Sequence, residues 1–467
     1  MKINCNISPE FIKYIDELIL LCTERHNLFF NDPKTENYEI NLVVKVNNEK
    51  VICEGEFRQN HYFYCEEKSE LKLMLKRSIF QVLSKILGRP LSPWGILTGV
   101  RPTKVIQGFI DDGLTVEEIK IELKNNYLVS PEKIEIMFKI RDEQKNLLGK
   151  LQNSLNIYIG IPFCPSRCSY CSFTSYTTNK SKDLIEPYLQ GLLEEINFYG
   201  DIIKEKGMNV VTIYIGGGTP SILSPKQIQI LLERVEKSFP VDKLLEYTFE
   251  GGRPDTLTEE KLKIIKRFGV NRLSINPQTM NDQTLEIIGR THTKEQFIRV
   301  FNQAKELGFN WINTDLIIGL ADEGFKEFRK TLEDVITLNP ENITVHSLAL
   351  KRAAIQKGKS PLTFNEAKEI MDFTYTIMGE SGYTPYYLYR QKAMAGNQEN
   401  IGFTKTGFIS PYNVVSIEEI GNVLALGSGG ISKVVRDGEI IRFSNPKDPN
   451  QYLEKIKARD FKEVFFR

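Results

Sequence analysis

Over the first 150 residues the apolar positions switch between two spacings. Ser8-Pro9-Glu10 reads as a helix start, and a helical period runs from residue 11 to 23. Alternation follows in Asn41-Leu42-Val43-Val44-Lys45-Val46. The chain turns through Asn47-Asn48-Glu49-Lys50 and returns in Val51-Ile52-Cys53, which predicts a β-hairpin. A strongly periodic helix from about 69 to 87 is stopped by Gly88-Arg89-Pro90. Glycine and proline punctuate the loop Trp94 to Pro102, and two or three more helices carry the chain to about 151.

From Asn156 the pattern changes. Short apolar runs at 156–159, 210–215, 247–249, 272–275, 311–318 and 342–346 alternate with helical stretches at 185–199, 225–238, 259–268, 294–307 and 325–338. Six such runs joined by five helices predict parallel βαβ units and an α/β fold built on a partial (β/α)6 barrel. In barrels of this kind, active-site residues gather where strands end. A helix at 365–381 comes next, then glycines crowd 421–430 before a terminal helix at 449–458, a pattern read as a cap across one end of the barrel. The expected division is an N-terminal α+β domain (1–151), the barrel (152–350) and a C-terminal cap and substrate region (351–467).

Composition narrows the function classes. Lys plus Arg (61) against Asp plus Glu (60) leaves a formal charge of +1, without the basic surplus that would grip nucleic acid or an anionic membrane. The longest N-terminal apolar run, Leu18 to Cys22, is far below the ~20 residues a bilayer span needs. No secretory leader is expected, and the expected location is the cytoplasm. Seven cysteines in 467 residues do not form a disulfide framework, and Cys5, Cys22, Cys53 and Cys65 read as small buried apolar residues.

The other three cysteines stand together in Tyr158-Ile-Gly-Ile-Pro-Phe-Cys164-Pro-Ser-Arg-Cys168-Ser-Tyr-Cys171, directly after the first barrel strand. Three thiolates on one short loop can wrap a single metal centre. A structural zinc would want a fourth ligand, and none of the four histidines (His26, His61, His292, His346) lies near in sequence. An iron–sulfur cubane with three cysteines would leave one iron open to a chelating cosubstrate. Three core cysteines at this spacing by chance is the remaining reading.

C-x3-C-x2-C with Tyr170 before the last cysteine resembles the cluster motif of radical S-adenosylmethionine enzymes. Tyr158 to Cys164 resembles, more narrowly, the oxygen-independent coproporphyrinogen III oxidase family, and specifically its coproporphyrinogen dehydrogenase branch with an extra N-terminal domain. The likeness runs to about Leu320 and, more weakly, to about Lys433. It implies a 4Fe–4S cluster on Cys164, Cys168 and Cys171, with S-adenosylmethionine as cosubstrate. Gly216-Gly217-Gly218-Thr219-Pro220 resembles the segment whose backbone holds the methionine amino group; glycine lets the main chain approach closely. Glu250, Gln278, Arg290 and Asp315 match family positions that contact the methionine or ribose, and Tyr158, Tyr170 and Ile431 match further contacts. The residues add an argument of their own: carboxylates on apolar strands, such as Glu250 and Asp315, are costly unless a ligand partners them.

The activity implied is radical decarboxylation of coproporphyrinogen III. A 5′-deoxyadenosyl radical takes hydrogen from a propionate β-carbon, and loss of carbon dioxide and one electron leaves a vinyl group, giving protoporphyrinogen IX without oxygen. It also implies a one-electron donor such as flavodoxin or ferredoxin. A tetra-anionic tetrapyrrole would want basic and aromatic residues, and the candidates are Arg167, Lys351-Arg352, and Arg390 and Lys392 within Tyr386 to Lys392. The chain departs from the family at Gly160, where many relatives have histidine, and at Phe173, where the oxidase has a fourth cysteine. Two other readings stand beside this one. One is a haem-binding chaperone, whose family members carry His-Asn where this chain has Glu399-Asn400. The other is a different radical reaction on a tetrapyrrole.

Overall fold

The computed structural model describes residues 1–460 apart from 34–37, 48, 68, 100, 172–174, 350–361, 392–393 and 437–438. The chain forms two compact units. One comprises Met1–Lys139 with Tyr389–Glu399, the other Ile140–Leu388 with Asn400–Arg467. The division therefore falls earlier than the expected residue 151, and eleven residues expected in the C-terminal region fold with the N-terminal unit.

In the first unit, β1 (Ile3–Asn6), β2 (Leu28–Phe30), β3 (Ile40–Asn47), β4 (Lys50–Phe57) and β5 (Asn60–Glu67) form a sheet in the order β2-β1-β3-β4-β5. The expected hairpin is the β3–β4 pair, with Val46 opposite Val51. Helix Leu71–Leu87 buries Leu75, Ile79, Val82 and Leu83 in one cluster with Leu42, Val51 and Cys53. It ends on Gly88 at φ +65°, a left-handed cap that glycine adopts without strain.

The second unit carries an eleven-stranded sheet. Its first strand, β6 (Leu155–Ile161), leads to a short pair, β7 (Phe163–Cys164) and β8 (Tyr176–Thr177). Five more strands follow: β9 (Val210–Gly217), β10 (Glu246–Gly252), β11 (Arg272–Ile275), β12 (Ile312–Ile318) and β13 (Asn342–Ser347). With β6 they run parallel in sequence order, as the six apolar runs predict. The residues expected as a cap instead extend this sheet. On one side lie β14 (Thr384–Tyr389) and β15 (Asn400–Thr404); on the other lie β16 (Asn422–Leu426), β17 (Ile431–Arg436) and β18 (Glu439–Ser444). The sheet is open, with β14 and β18 at its edges, and is not a closed barrel.

Register decides what shares a face. Tyr158 pairs with Tyr214, Tyr214 with Thr248, Glu250 with Ser274, Ser274 with Asn313, and Asp315 with Thr344. Strand side chains alternate with period two. Tyr158, Tyr214, Glu250, Arg272, Asp315 and His346 therefore all point to one face. The opposite face carries the apolar set Ile157, Ile213, Phe249, Leu273, Leu316 and Val345, every one buried.

Candidate active site

The cysteine loop leaves β6 through β7 and is pinned at several points. Ser166 Oγ donates to the Gly289 carbonyl at 2.8 Å, and the Ser169 amide donates to the Ile288 carbonyl at 3.0 Å. Cys164, Cys168 and Cys171 form no disulfide, and each is partly exposed. Thr219 Oγ1 lies 3.4 Å from Cys164 Sγ, and Arg253 Nη1 lies 3.9 Å from Cys168 Sγ. Burial pushes the Cys164 thiol up, so a bound metal would have to supply the charge that stabilises its thiolate. Among the described residues no three His, Cys, Asp or Glu side chains already stand together as a metal-ligand set. The donor chemistry fits a thiophilic metal group nonetheless, because three unbridged thiols share one short loop beside a backbone cradle.

That cradle is the end of β9. Gly218 N–H donates to the Ile161 carbonyl, and Thr219 N–H to that of Phe163, both at 2.8 Å. A methyl group on Gly218 would stand 2.6 Å from Phe163 O and 3.0 Å from Cys164 Sγ. Gly217 takes φ +115°, a conformation that side-chain-bearing residues rarely adopt.

From the adjacent strand β10, Glu250 reaches the same cradle. Its Oε2 lies 2.6 Å from where a Gly216 Cβ would be, and its carboxylate accepts bonds from the Gly217 amide and the Tyr214 hydroxyl. Burial, reinforced by the negative charge of Asp315, pushes the Glu250 carboxyl up to about 7. Burial also works against Asp315, but His346 and Asn313 hold it below the usual carboxylate range. Asn313 Nδ2 donates to Asp315 Oδ1 at 2.8 Å, and His346 Nε2 is 3.9 Å from the same oxygen. The two carboxyls on one face are thus driven apart in acidity.

Arg290 donates from Nη1 to the Asn276 carbonyl at 2.7 Å and from Nη2 to the Tyr170 hydroxyl at 3.1 Å. Its Nε is buried without a hydrogen-bond partner. Such an orphaned donor fits a ligand carboxylate. Gln278 is buried just past β11 at φ +70°, bonded through its backbone to β12: its amide donates to Asp315 O and its carbonyl accepts from Ile317 N, both at 3.0 Å. Lower on the same face, Tyr158, Tyr214 and Tyr412 stack, the last two with ring centres 4.6 Å apart. Below them Arg272 pairs with the fully buried Glu246 at 3.7 Å.

Cys164, Gly217, Gly218, Thr219, Tyr158 and Glu250 are thus brought together, and Arg290 and Tyr170 meet at the cysteine loop. Ile431 is 48 % exposed at the start of β17, across the β6–β16 pairing from Tyr158. Arg167 is exposed on the cysteine loop. Arg390 departs from expectation: it is 4 % exposed in the first unit, where its guanidinium donates to the Leu97 and Asn397 carbonyls instead of waiting for a substrate. Lys351, Arg352, Phe173 and Lys392 lie outside the described residues. Sequence reasoning missed Tyr214, His346 and Arg253. The signal for Arg253 was an arginine directly after Gly251-Gly252 at a strand end.

The sequence profile of the Radical SAM superfamily matches residues 158–335. The chain is 38% identical over 455 residues to the oxygen-independent coproporphyrinogen-III oxidase-like protein HemZ of Bacillus subtilis (strain 168), covering 93% of this chain and 91% of that one. It is 29% identical over 303 residues to the heme chaperone HemW of Escherichia coli (strain K12), covering 64% and 76%. Among solved structures it resembles the coproporphyrinogen III oxidase HemN of Escherichia coli, a radical SAM enzyme, with TM-score 0.55 and 25% identity over 66% of this chain and 70% of that one.

Proposed function

The chain belongs to the family of oxygen-independent coproporphyrinogen-III oxidase-like proteins within the radical S-adenosylmethionine superfamily, and on that premise we propose that it decarboxylates coproporphyrinogen III oxidatively, converting propionates to vinyl groups without oxygen. The observation that carries this reading is the meeting of the cysteine loop, the Gly217–Thr219 cradle and Glu250 at adjacent strand ends.

In this reading Cys164, Cys168 and Cys171 hold the 4Fe–4S cluster. The cradle and Glu250 receive the ammonium of S-adenosylmethionine, and Arg290 turns its unpartnered Nε to the carboxylate. Asp315, with Gln278, takes the ribose hydroxyls as an acceptor already ionised. Tyr158, Tyr170 and Ile431 supply contact surface. When bound together, the cluster and S-adenosylmethionine supply the hydrogen-abstracting radical chemistry of the superfamily. The stacked Tyr158, Tyr214 and Tyr412 fill the face beneath the site and keep bulk water from it. In the same reading Arg167, exposed on the cysteine loop, would pair with a substrate propionate.

The likeness to HemW raises a haem chaperone as the second reading. Against it stands Glu399, at the position where chaperone-type relatives carry histidine. It is fully buried and bonded to Trp94 and Lys133, which leaves no side chain there for haem iron. The test is anaerobic incubation of reconstituted protein with dithionite, S-adenosylmethionine and coproporphyrinogen III, followed by mass analysis. Protoporphyrinogen, with one S-adenosylmethionine cleaved per propionate lost, is the expected result. Cleavage without tetrapyrrole change would move the reading to another substrate. An intact cluster with no cleavage would favour the chaperone.

A further inference from the structure

Arg253 follows β10 directly, is 2 % exposed, and has no part in the roles assigned above. Every one of its five N–H groups has an acceptor. Nε and Nη2 meet the two carboxylate oxygens of Asp255 at 3.2 and 3.3 Å, and Nη2 also donates to Thr291 Oγ1 at 3.0 Å. Nη1 donates to Ser166 Oγ at 2.8 Å, which leaves its second N–H for Cys168 Sγ, 3.9 Å away. Thr291 Oγ1 in turn donates to Asp255 Oδ2 at 2.6 Å, and Ser166 Oγ passes a bond on to Gly289 O. One guanidinium thus joins three pieces of chain: the cysteine loop, the 289–291 segment and the turn after β10.

Burying a cation this completely is costly unless it is paired and its N–H groups are all hydrogen-bonded, as they are here. Asp255 occupies the Nε–Nη2 edge, so the corner of the fork that meets Ser166 and Cys168 presents net positive charge to the thiol. Only an arginine fork can satisfy all these acceptors at once; a lysine ammonium would keep the charge and lose the geometry.

We propose that Arg253 is a positioning residue for the iron–sulfur cluster, clamping the cysteine loop and placing a fixed positive charge beside the Cys168 sulfur. The proposal rests on the cluster reading above and goes beyond it. Reduction adds one electron, and one negative charge, to a group already surrounded by thiolates. A nearby cation and an N–H directed at a ligand sulfur both favour the reduced form. Arg253 would therefore do two separable things: slow the loss of iron and ease reduction by the electron donor.

The experiment uses the full-length, anaerobically reconstituted protein. It compares wild type with Arg253→Gln and Arg253→Lys, reading iron and sulfide content, the rate of iron transfer to a chelator, and the midpoint potential by spectroscopically monitored titration with dithionite. Arg253→Gln is expected to lose iron about tenfold faster, the scale typical for residues that support metal ligands. It is also expected to shift the reduction equilibrium about tenfold toward the oxidised form, which is about 59 mV for one electron. Arg253→Lys should recover the potential but not the iron retention. Wild-type values for both quantities in Arg253→Gln would overturn the proposal and leave the cluster reading standing. A wild-type protein that takes up no iron would overturn the cluster reading itself. If Arg253→Gln does not fold, Ser166→Ala removes the Arg253 link to the loop together with the loop's bond to Gly289 O, and leaves the Arg253 charge in place. Faster iron loss with the potential kept supports the clamp, and unchanged iron loss overturns it.

Discussion

Glu250 and Asp315 share a face, and their environments separate them. Asp315 is held ionised by His346 and Asn313, so it adds no pH dependence near neutrality. Glu250, pushed up to about 7 by burial and by Asp315, still carries its proton in much of the neutral range. A ligand ammonium favours the ionised carboxylate, so binding below pH 7 must first release that proton. Affinity for S-adenosylmethionine is therefore expected to fall about tenfold for each pH unit below 7 and to level off above it. Titration calorimetry across that range reads the slope directly, and Glu250→Gln should bind weakly with no slope at all. A flat wild-type profile would remove Glu250 from the ammonium site. Arg290→Ala takes away the bonds to Asn276 O and Tyr170 and the free Nε. Loss of one charge-assisted carboxylate pair is worth on the order of 2–3 kcal/mol, so affinity should drop about a hundredfold with iron content kept. Cys168→Ala is the complement: the cluster absorbance near ~400 nm and 5′-deoxyadenosine formation should vanish together.

At the scale of elements, the six parallel strands were legible because sandwiched parallel strands read as short, mostly apolar runs, as Val210 to Ile215 does with Thr212 and Tyr214 the exceptions. β5 was not, since Asn60-His-Tyr-Phe-Tyr-Cys-Glu-Glu buries only Glu66 and shows no clean alternation. β16 hid among glycines, although Val423 to Leu426 is fully buried beside β6. The cysteine triplet and the glycine run announced themselves by spacing. Arg253, which meets Ser166 and Thr291 across 87 and 38 residues, could not, because only the fold makes them neighbours. The β9 cradle is where local sequence and long-range packing coincide. Gly218→Val would drive a branched side chain against Phe163 O and Cys164 Sγ, and neither backbone nor ligand can yield cheaply. The protein should still melt cooperatively but take up much less iron. Gly379→Ala, which meets nothing within 4 Å, is the control expected to behave as wild type. Equal iron uptake by both variants would show that the cradle does not set the loop.

The whole molecule is discontinuous in sequence: the first unit is completed by Tyr389–Glu399, from far down the chain. That return is specified by polar bonds. Asn397 Nδ2 donates to Leu21 O at 2.8 Å and Leu91 O at 3.1 Å, Arg390 donates to Leu97 O, and Glu399 sits between Trp94 Nε1 and the Lys133 ammonium. Glu399 is fully buried and Lys133 nearly so. Removing either partner of such a pair strands a charge away from water, typically at a cost of 3–5 kcal/mol. Glu399→Ala should therefore lower the melting temperature by roughly 10 °C, at the few degrees per kcal/mol expected for a unit of this size. The emission of Trp94, one of two tryptophans, should change with it, because its Nε1 loses its acceptor. The same pair bears on function. Glu399→His would install the residue type that haem-chaperone relatives carry, but at a site enclosed by Trp94 and Lys133. A histidine there meets a cation where Glu399 met it as an anion, so the variant should lose stability much as Glu399→Ala does and gain no haem band. Tight haem binding by Glu399→His, with stability kept, would mean that this position is open to ligands and that the chaperone reading has to be taken up again.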